Sequence, residues 1–194
     1  MQALIDKIRN EGEAIGTQIV KVDGFVNHQI DVAFMMKMGE AFKARFGDVP
    51  VDKILTVEAS GIAIACLTAP AFGFPRVVFA KKAAPSTMVE GFYAAEAKSF
   101  TKGTVSTLRV STKFLSPGDR ILVVDDFLAH GEAALALADI AAQAGAEIVG
   151  FGIVIEKAFQ GGGARLREAG YRVESLAVIE RIEDGRIFFE NEQK

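Results

Sequence analysis

The sequence predicts an α/β fold: a central, mainly parallel sheet flanked by helices. Three observations predict it. Short aliphatic runs alternate with longer helix-forming stretches, the rhythm of βαβ units. The run Ile121–Val124 is four aliphatic residues without interruption, which suits a central strand buried on both faces. A junction of mostly small residues at 58–61 and a turn at Gly131 stand where strand-like runs give way to helical ones.

Taken in order, the chain opens with an amphipathic helix carrying Leu4, Ile5 and Ile8, followed by the mixed segment VKVDGFVNHQID at 20–31. The first clear strand is Ile54–Val57. A junction at 58–61 leads into an Ala-rich helix that ends near Ala69, and the Gly73–Pro75 turn leads into a strand at Val77–Ala80. Residues 81–103 combine Ala, Ser, Thr, Lys and Gly without a sustained period. They read as a lid or binding loop, with a strand near Val105–Val110 returning from it. After Ile121–Val124 comes a helix with Ala133, Leu135, Leu137 and Ile140, stopped at Gly145, and then a strand at Val149–Ile155. A hairpin around Asp184–Gly185, with Ile179, Ile182, Ile187 and Phe189 as apolar members, ends the chain.

Composition bounds the function. The 194 residues suffice for one domain, and half are hydrophobic, which excludes disorder as the main state. Lys and Arg number 22 against 25 Asp and Glu, a net charge of −3, which argues against gripping nucleic acid or an anionic membrane through overall charge. Charged residues break up the N-terminus, and the uncharged run between Glu58 and Arg76 is punctuated by Gly and Pro. A cytoplasmic protein is expected. The one cysteine, Cys66, has no internal disulfide partner. It lies in an apolar stretch and reads as a packed core thiol.

The chemistry concentrates in ILVVDDFLAHGEA at 121–133. A buried strand ends in Asp125 and Asp126, and the chain then turns at Gly131 into a helix. Open parallel sheets bind ligands beyond the carboxyl ends of their strands, and a helix N-terminus suits phosphate. Paired carboxylates repel phosphate, but they accept hydrogen bonds from vicinal hydroxyls or support a bound Mg²⁺. Phosphate beside a diol describes a ribose 5-phosphate. Paired aspartates at a strand end also occur in receiver domains and dehalogenase-like metal sites. The Ala-rich helix and the spacing to Gly131 favour the sugar phosphate. Ser60 and Gly61 form a second junction able to hold an anion or simply to cap a helix. Lys81 and Lys82 end the neighbouring strand, as surface lysines or as neutralisers of a diphosphate. Lys98 and Lys102 stand at the far end of the long loop.

VVDDFLAHGEA resembles the 5-phosphoribosyl 1-diphosphate loop of the phosphoribosyltransferases. The resemblance runs over nearly the whole chain: VKVDGFVNHQID at 20–31, VEASGIA at 57–63, SFTK at 99–102, GIVIEKAFQ at 152–160 and GYRVESLAVI at 170–179. It is closest to a bacterial purine branch of the type I fold whose base site is capped by both termini. It implies one domain, with a core over about 32–156 and a hood from 1–31 and 157–194. It implies transfer of the phosphoribosyl group to xanthine, with Mg²⁺ carried on the diphosphate and no resident metal. A homodimer is implied as well. By residue, it gives the 5-phosphate to Ala129, His130, Gly131, Glu132 and Ala133. Asp125 and Asp126 face the ribose hydroxyls; Ser60, Gly61, Lys81 and Lys82 hold the diphosphate; Val20, Asn27 and Lys157 contact the purine. The chemistry agrees, since xanthine presents carbonyls at C2 and C6 and a lysine is a pure donor.

Three positions depart from the family pattern. His130 replaces Asn or Thr. Lys81 replaces Arg, losing a bidentate fork. Glu132 adds a negative charge beside the phosphate, which weakens binding unless the side chain turns outward. Two alternatives stay open: a guanine or hypoxanthine transferase, and a non-catalytic sensor of the diphosphate donor. The sensor needs a DNA-binding element, and residues 1–31 are too short and insufficiently basic to supply one.

Overall fold

Six strands form the central sheet of the computed structural model, which describes residues 1–83, 91–99 and 104–190. The chain begins with helix α1 (Gln2–Glu11) and a short hairpin of β1 (Glu13–Ile15) and β2 (Ile19–Lys21), then a π-helical turn at Asp23–Asn27. Helix α2 (Val32–Phe46) starts at Asp31, whose carboxylate accepts a hydrogen bond from the Phe34 amide at 3.0 Å. Next come β3 (Lys53–Val57), α3 (Ser60–Thr68) and β4 (Arg76–Ala80). A hairpin of β5 (Phe92–Ser99) and β6 (Thr104–Ser111) precedes β7 (Arg120–Leu128), α4 (Glu132–Gln143) and β8 (Glu147–Lys157). Helix α5 (Gly162–Glu168), β9 (Val173–Glu183) and β10 (Arg186–Phe189) finish the fold. The strand order is β10-β9-β8-β7-β3-β4; every pair is parallel except β9 with β10, whose turn is at Asp184–Gly185.

The aliphatic run of β7 is explained by two core layers. Leu122 and Val124 face a layer with Met35, Met38, Phe42 and Ile64, while Ile121 and Val123 face one with Leu137, Ile140 and Phe151. A strand clothed on both sides has no solvent face to carry polar residues. Each such side chain contributes roughly 1.5–3 kcal/mol by leaving water. The ladder start is fixed by Asp52, which receives Arg120 through Nε and Nη2, both at 2.7 Å, and through its backbone amide at 2.9 Å.

Three expectations need correction. The stretch read as a structureless loop contains β5, whose residues pair one-to-one with β6. Ala95, Ala97, Leu108 and Val110 of this hairpin are buried in the α4 layer, and Gln143 bonds both the Ala94 amide (3.2 Å) and carbonyl (2.8 Å). Alternation between alanine and larger residues is a weak strand signal, because alanine has low β propensity. Residues 84–90 and 100–103 of that stretch, Lys102 among them, lie outside the described residues. Cys66 is exposed, not packed. It sits two positions from both Ile64 and Thr68, which are buried, and two residues on a helix is about 200° of rotation. Finally, β7 does not stop at the acidic pair but runs on to Leu128, because its parallel ladder with β8 continues through Phe127–Ile155 and Leu128–Glu156.

Candidate active site

At the carboxyl end of β7 lies a cleft of about 170 Å³. It is lined by Lys98, Asp125, Phe127, Leu128, Ala129, His130, Gly131, Glu132, Ala133, Ala134 and Ile153. Asp125 and all five residues of the 129–133 loop therefore share one cavity. Gly131 caps α4 with φ 85°, a left-handed conformation that a residue with a Cβ adopts at a cost. It lets the chain leave the strand and enter the helix within three residues, which brings the amides of the first turn of α4 to the cleft.

Asp125 and Asp126 are both more than nine-tenths buried. The Asp125 carboxylate accepts a hydrogen bond from the Asp126 amide at 2.9 Å. Burial, followed by the charge of Asp126, pushes the Asp125 carboxyl well above the usual carboxylate range, while the Asp126 amide and Lys82 pull the other way. Asp126 accepts a hydrogen bond from Asn27 Nδ2 at 3.2 Å, so the N-terminal segment reaches across to the acidic pair. Gly61 closes the other side. A Cβ there would stand 2.1 Å from Thr56 Oγ1 and 3.0 Å from Asp125 Oδ1, so the α3 junction approaches β7 as closely as backbone permits. Thr56 Oγ1 is buried without a hydrogen-bond partner.

Lys157 stands at the end of β8. Its ammonium donates to the Gln18 carbonyl at 3.0 Å and lies 5.5 Å from the centre of the Phe127 ring. Burial lowers its pKa from the ordinary lysine value and Asp126 opposes that shift. Val20 on β2 is buried in the core layer that also holds Phe25 and Val26. Ser60 begins α3, after a cis Glu58–Ala59 peptide. Glu58 accepts from the Lys82 amide at 2.6 Å, tying the two junctions together. The backbone of Lys81 bridges Arg109 and its ammonium lies 5.9 Å from the Phe79 ring centre; Ser60, Gly61, Lys81 and Lys82 are not among the residues that line the cleft.

Sequence reasoning missed the support behind the loop. Arg165 donates to the His130 carbonyl and to Glu132 Oε1, both at 2.6 Å, and Gly162 N donates to the Ala129 carbonyl at 2.9 Å. His130 Nδ1 lies 3.1 Å from the Gln160 carbonyl. Glu132 is thus paired, and its charge does not stand alone beside the anion site. Nothing in the spacing of residues 132 and 165 signals this contact. Among the described residues, no group of three or more His, Cys, Asp or Glu could hold a metal ion, and no helix is long and apolar enough to cross a membrane.

Comparisons with known proteins agree with one another. Residues 29–174 match the phosphoribosyl transferase domain. The chain is 51% identical over 189 residues to the xanthine phosphoribosyltransferase of Clostridioides difficile, covering 97% of this chain and 100% of that one. It is 53% identical over 189 residues to the xanthine phosphoribosyltransferase of Heliobacterium modesticaldum, with the same coverage. Among solved structures, adenine phosphoribosyltransferase from Rhodothermus marinus superposes with a TM-score of 0.73 at 20% identity, over 92% of this chain and 100% of that one.

Proposed function

The chain belongs to the phosphoribosyltransferase family, and on that premise we propose that it transfers the 5-phosphoribosyl group of 5-phosphoribosyl 1-diphosphate to xanthine. The products are xanthosine 5′-monophosphate and diphosphate. One observation carries the assignment of its site. The glycine-capped N-terminus of α4 and the buried Asp125 line one cleft at the end of one strand. This pairs a grip for phosphoryl oxygens with a reader of hydroxyls.

In the reaction a purine ring nitrogen attacks C1′ and gives up its proton, the bond from C1′ to the diphosphate oxygen breaks, and the ribose ring passes through an oxocarbenium-like state. The amides of residues 129–133 hold the 5-phosphate. Asp125 and Asp126 hydrogen-bond the ribose hydroxyls, and the net negative charge that the pair keeps favours positive charge growing on the ribose ring. Ser60, Gly61 and Lys82 meet the departing diphosphate. Lys81 joins them by a swing of its side chain away from Phe79. The donor set fits a cation carried in on substrate oxygens better than a resident one, since Mg²⁺ keeps few protein ligands. Mg²⁺ bound that way would supply charge neutralisation of the leaving group alongside Lys82. Val20 walls the base pocket, while Asn27 and Lys157 donate to the carbonyl oxygens of the base. Residues 1–31 serve as the hood, whereas the expected second part of it, 157–194, contributes β9 and β10 to the central sheet; the single domain acts on small molecules in the cytoplasm as a homodimer.

The decisive experiment measures diphosphate release and kcat/KM for xanthine, guanine, hypoxanthine and adenine. Xanthine is expected to lead, and Lys157→Ala to erase much of that lead. One lost charge-assisted hydrogen bond is about 1.5–3 kcal/mol, on the order of tenfold to a hundredfold. Equal rates for adenine would overturn the base assignment, and donor binding without diphosphate release would favour the sensor.

A further inference from the structure

We propose that α5 sets both the orientation and the charge of the phosphate loop, and that Arg165 is the positioning residue through which it acts. The inference rests on the donor site proposed above and concerns residues that resemblance to the family does not assign.

Orientation follows from the backbone. The carbonyls of Ala129 and His130 are both held from the α5 side, by the Gly162 amide at 2.9 Å and by Arg165 Nη1 at 2.6 Å. Both peptides are trans, and in a trans peptide the carbonyl and the following N–H point in opposite directions. Holding the two carbonyls toward α5 therefore directs the N–H groups of His130 and Gly131 away from it. The approach leaves no room for a side chain. A Cβ on Gly162 would stand 2.4 Å from the Ala129 carbonyl oxygen and 2.6 Å from Gly131 N.

Charge follows from Glu132, the first residue of α4 and part of the cleft wall. An unpaired carboxylate there would oppose a phosphate bound at the same helix end. Arg165 Nη1 reaches Glu132 Oε1 at 2.6 Å, so one guanidinium nitrogen serves the His130 carbonyl and the Glu132 carboxylate together. The Glu132 side chain is 22% exposed and that of Arg165 46%. Solvent screens the pair only in part.

Steady-state kinetics of the full-length protein test this. Arg165→Ala is expected to raise the KM for 5-phosphoribosyl 1-diphosphate about tenfold, roughly 1.4 kcal/mol. The KM for xanthine and kcat should stay within about twofold. With Glu132→Gln as the reference, adding Arg165→Ala should raise donor KM by less than about threefold, because no carboxylate remains to be offset. Arg165→Gln, measured in parallel as the milder change, should match Arg165→Ala, and melting curves report that each variant is folded. Donor KM unchanged in both Arg165 variants overturns the proposal. Equal losses with and without Glu132→Gln overturn the charge role. If the unmodified protein releases no diphosphate, the proposed function falls with it; if it turns over normally while the Arg165 variants match it, only this inference falls.

Discussion

At the scale of single residues, Asp125 shows how the fold resolves an apparent conflict. Two carboxylates beside a phosphate site look repulsive, yet burial and the neighbouring Asp126 favour the neutral form of Asp125. The cleft thus presents less than two full negative charges to an incoming anion. The same shift has a thermodynamic consequence. A carboxyl whose pKa is raised on folding holds its proton in the native state where the unfolded chain has released it. Stability then falls as pH rises from about 3.8, the ordinary Asp value, toward the folded-state pKa. Asp125→Asn removes this loss. The ligand-free variant should melt higher than the parent at pH 8. The gap should close near pH 4, and transferase activity should be largely lost at both. Calorimetry across that range checks it, and a gap that stays constant with pH would refute the assignment of the shift to Asp125.

At the scale of elements, the loop depends on how firmly α5 is seated. Glu156, at the end of β8, is 2% exposed. It receives Arg167 of α5 in a bidentate pair at 2.8 and 2.9 Å, and Ser175 of β9 at 2.5 Å. Burial pushes the Glu156 carboxyl up, but Arg167 and Ser175 outweigh it and leave its pKa below the ordinary value. One carboxylate therefore joins β8, α5 and β9, and Lys157 is the next residue along. Arg167→Ala leaves a buried charge without its counterion. Removing one partner of a buried pair costs about 3–5 kcal/mol, and the half-exposed guanidinium argues for less than that, about 2–3 kcal/mol. Urea unfolding of the variant reads this directly. The sign with pH is opposite to that of Asp125. The stabilisation is complete above the unfolded-state pKa of Glu156 and disappears as pH falls through the lowered folded-state value. The difference between parent and variant should therefore shrink in acid.

At the scale of the whole molecule, what could be read from sequence was what lies buried on both faces. Central parallel strands such as β3 and β7 appear as unbroken aliphatic runs because helices clothe both sides, and the turn at Gly131 marks itself by its glycine. Strand β5 stayed hidden because alanines carry its inward face, and the last third of β7 because aspartates are poor strand formers. The Arg165 contact was illegible for another reason: it joins elements brought together only by the parallel crossover. Quaternary structure belongs to the same class of long-range fact. Strand β4 is the last strand of the central sheet, and among the described residues the β5–β6 hairpin meets its end through the backbone bridge between Lys81 and Arg109. Phe79 on β4 is 37% exposed and Phe92 on β5 is 46% exposed. The two are linked through Lys81, over Phe79, and Arg109, which bridges to Lys81 and lies 5.7 Å from the Phe92 ring centre. Exposed aromatics on either side of this bridge suit an interface between two copies. Sedimentation equilibrium at micromolar concentration should give twice the chain mass. Replacing Phe79 and Phe92 together by Asp should shift the mass toward one chain while the far-ultraviolet spectrum stays native. A single-chain mass for the unmodified protein would rule the dimer out. A dimer indifferent to both substitutions would move the interface away from this edge.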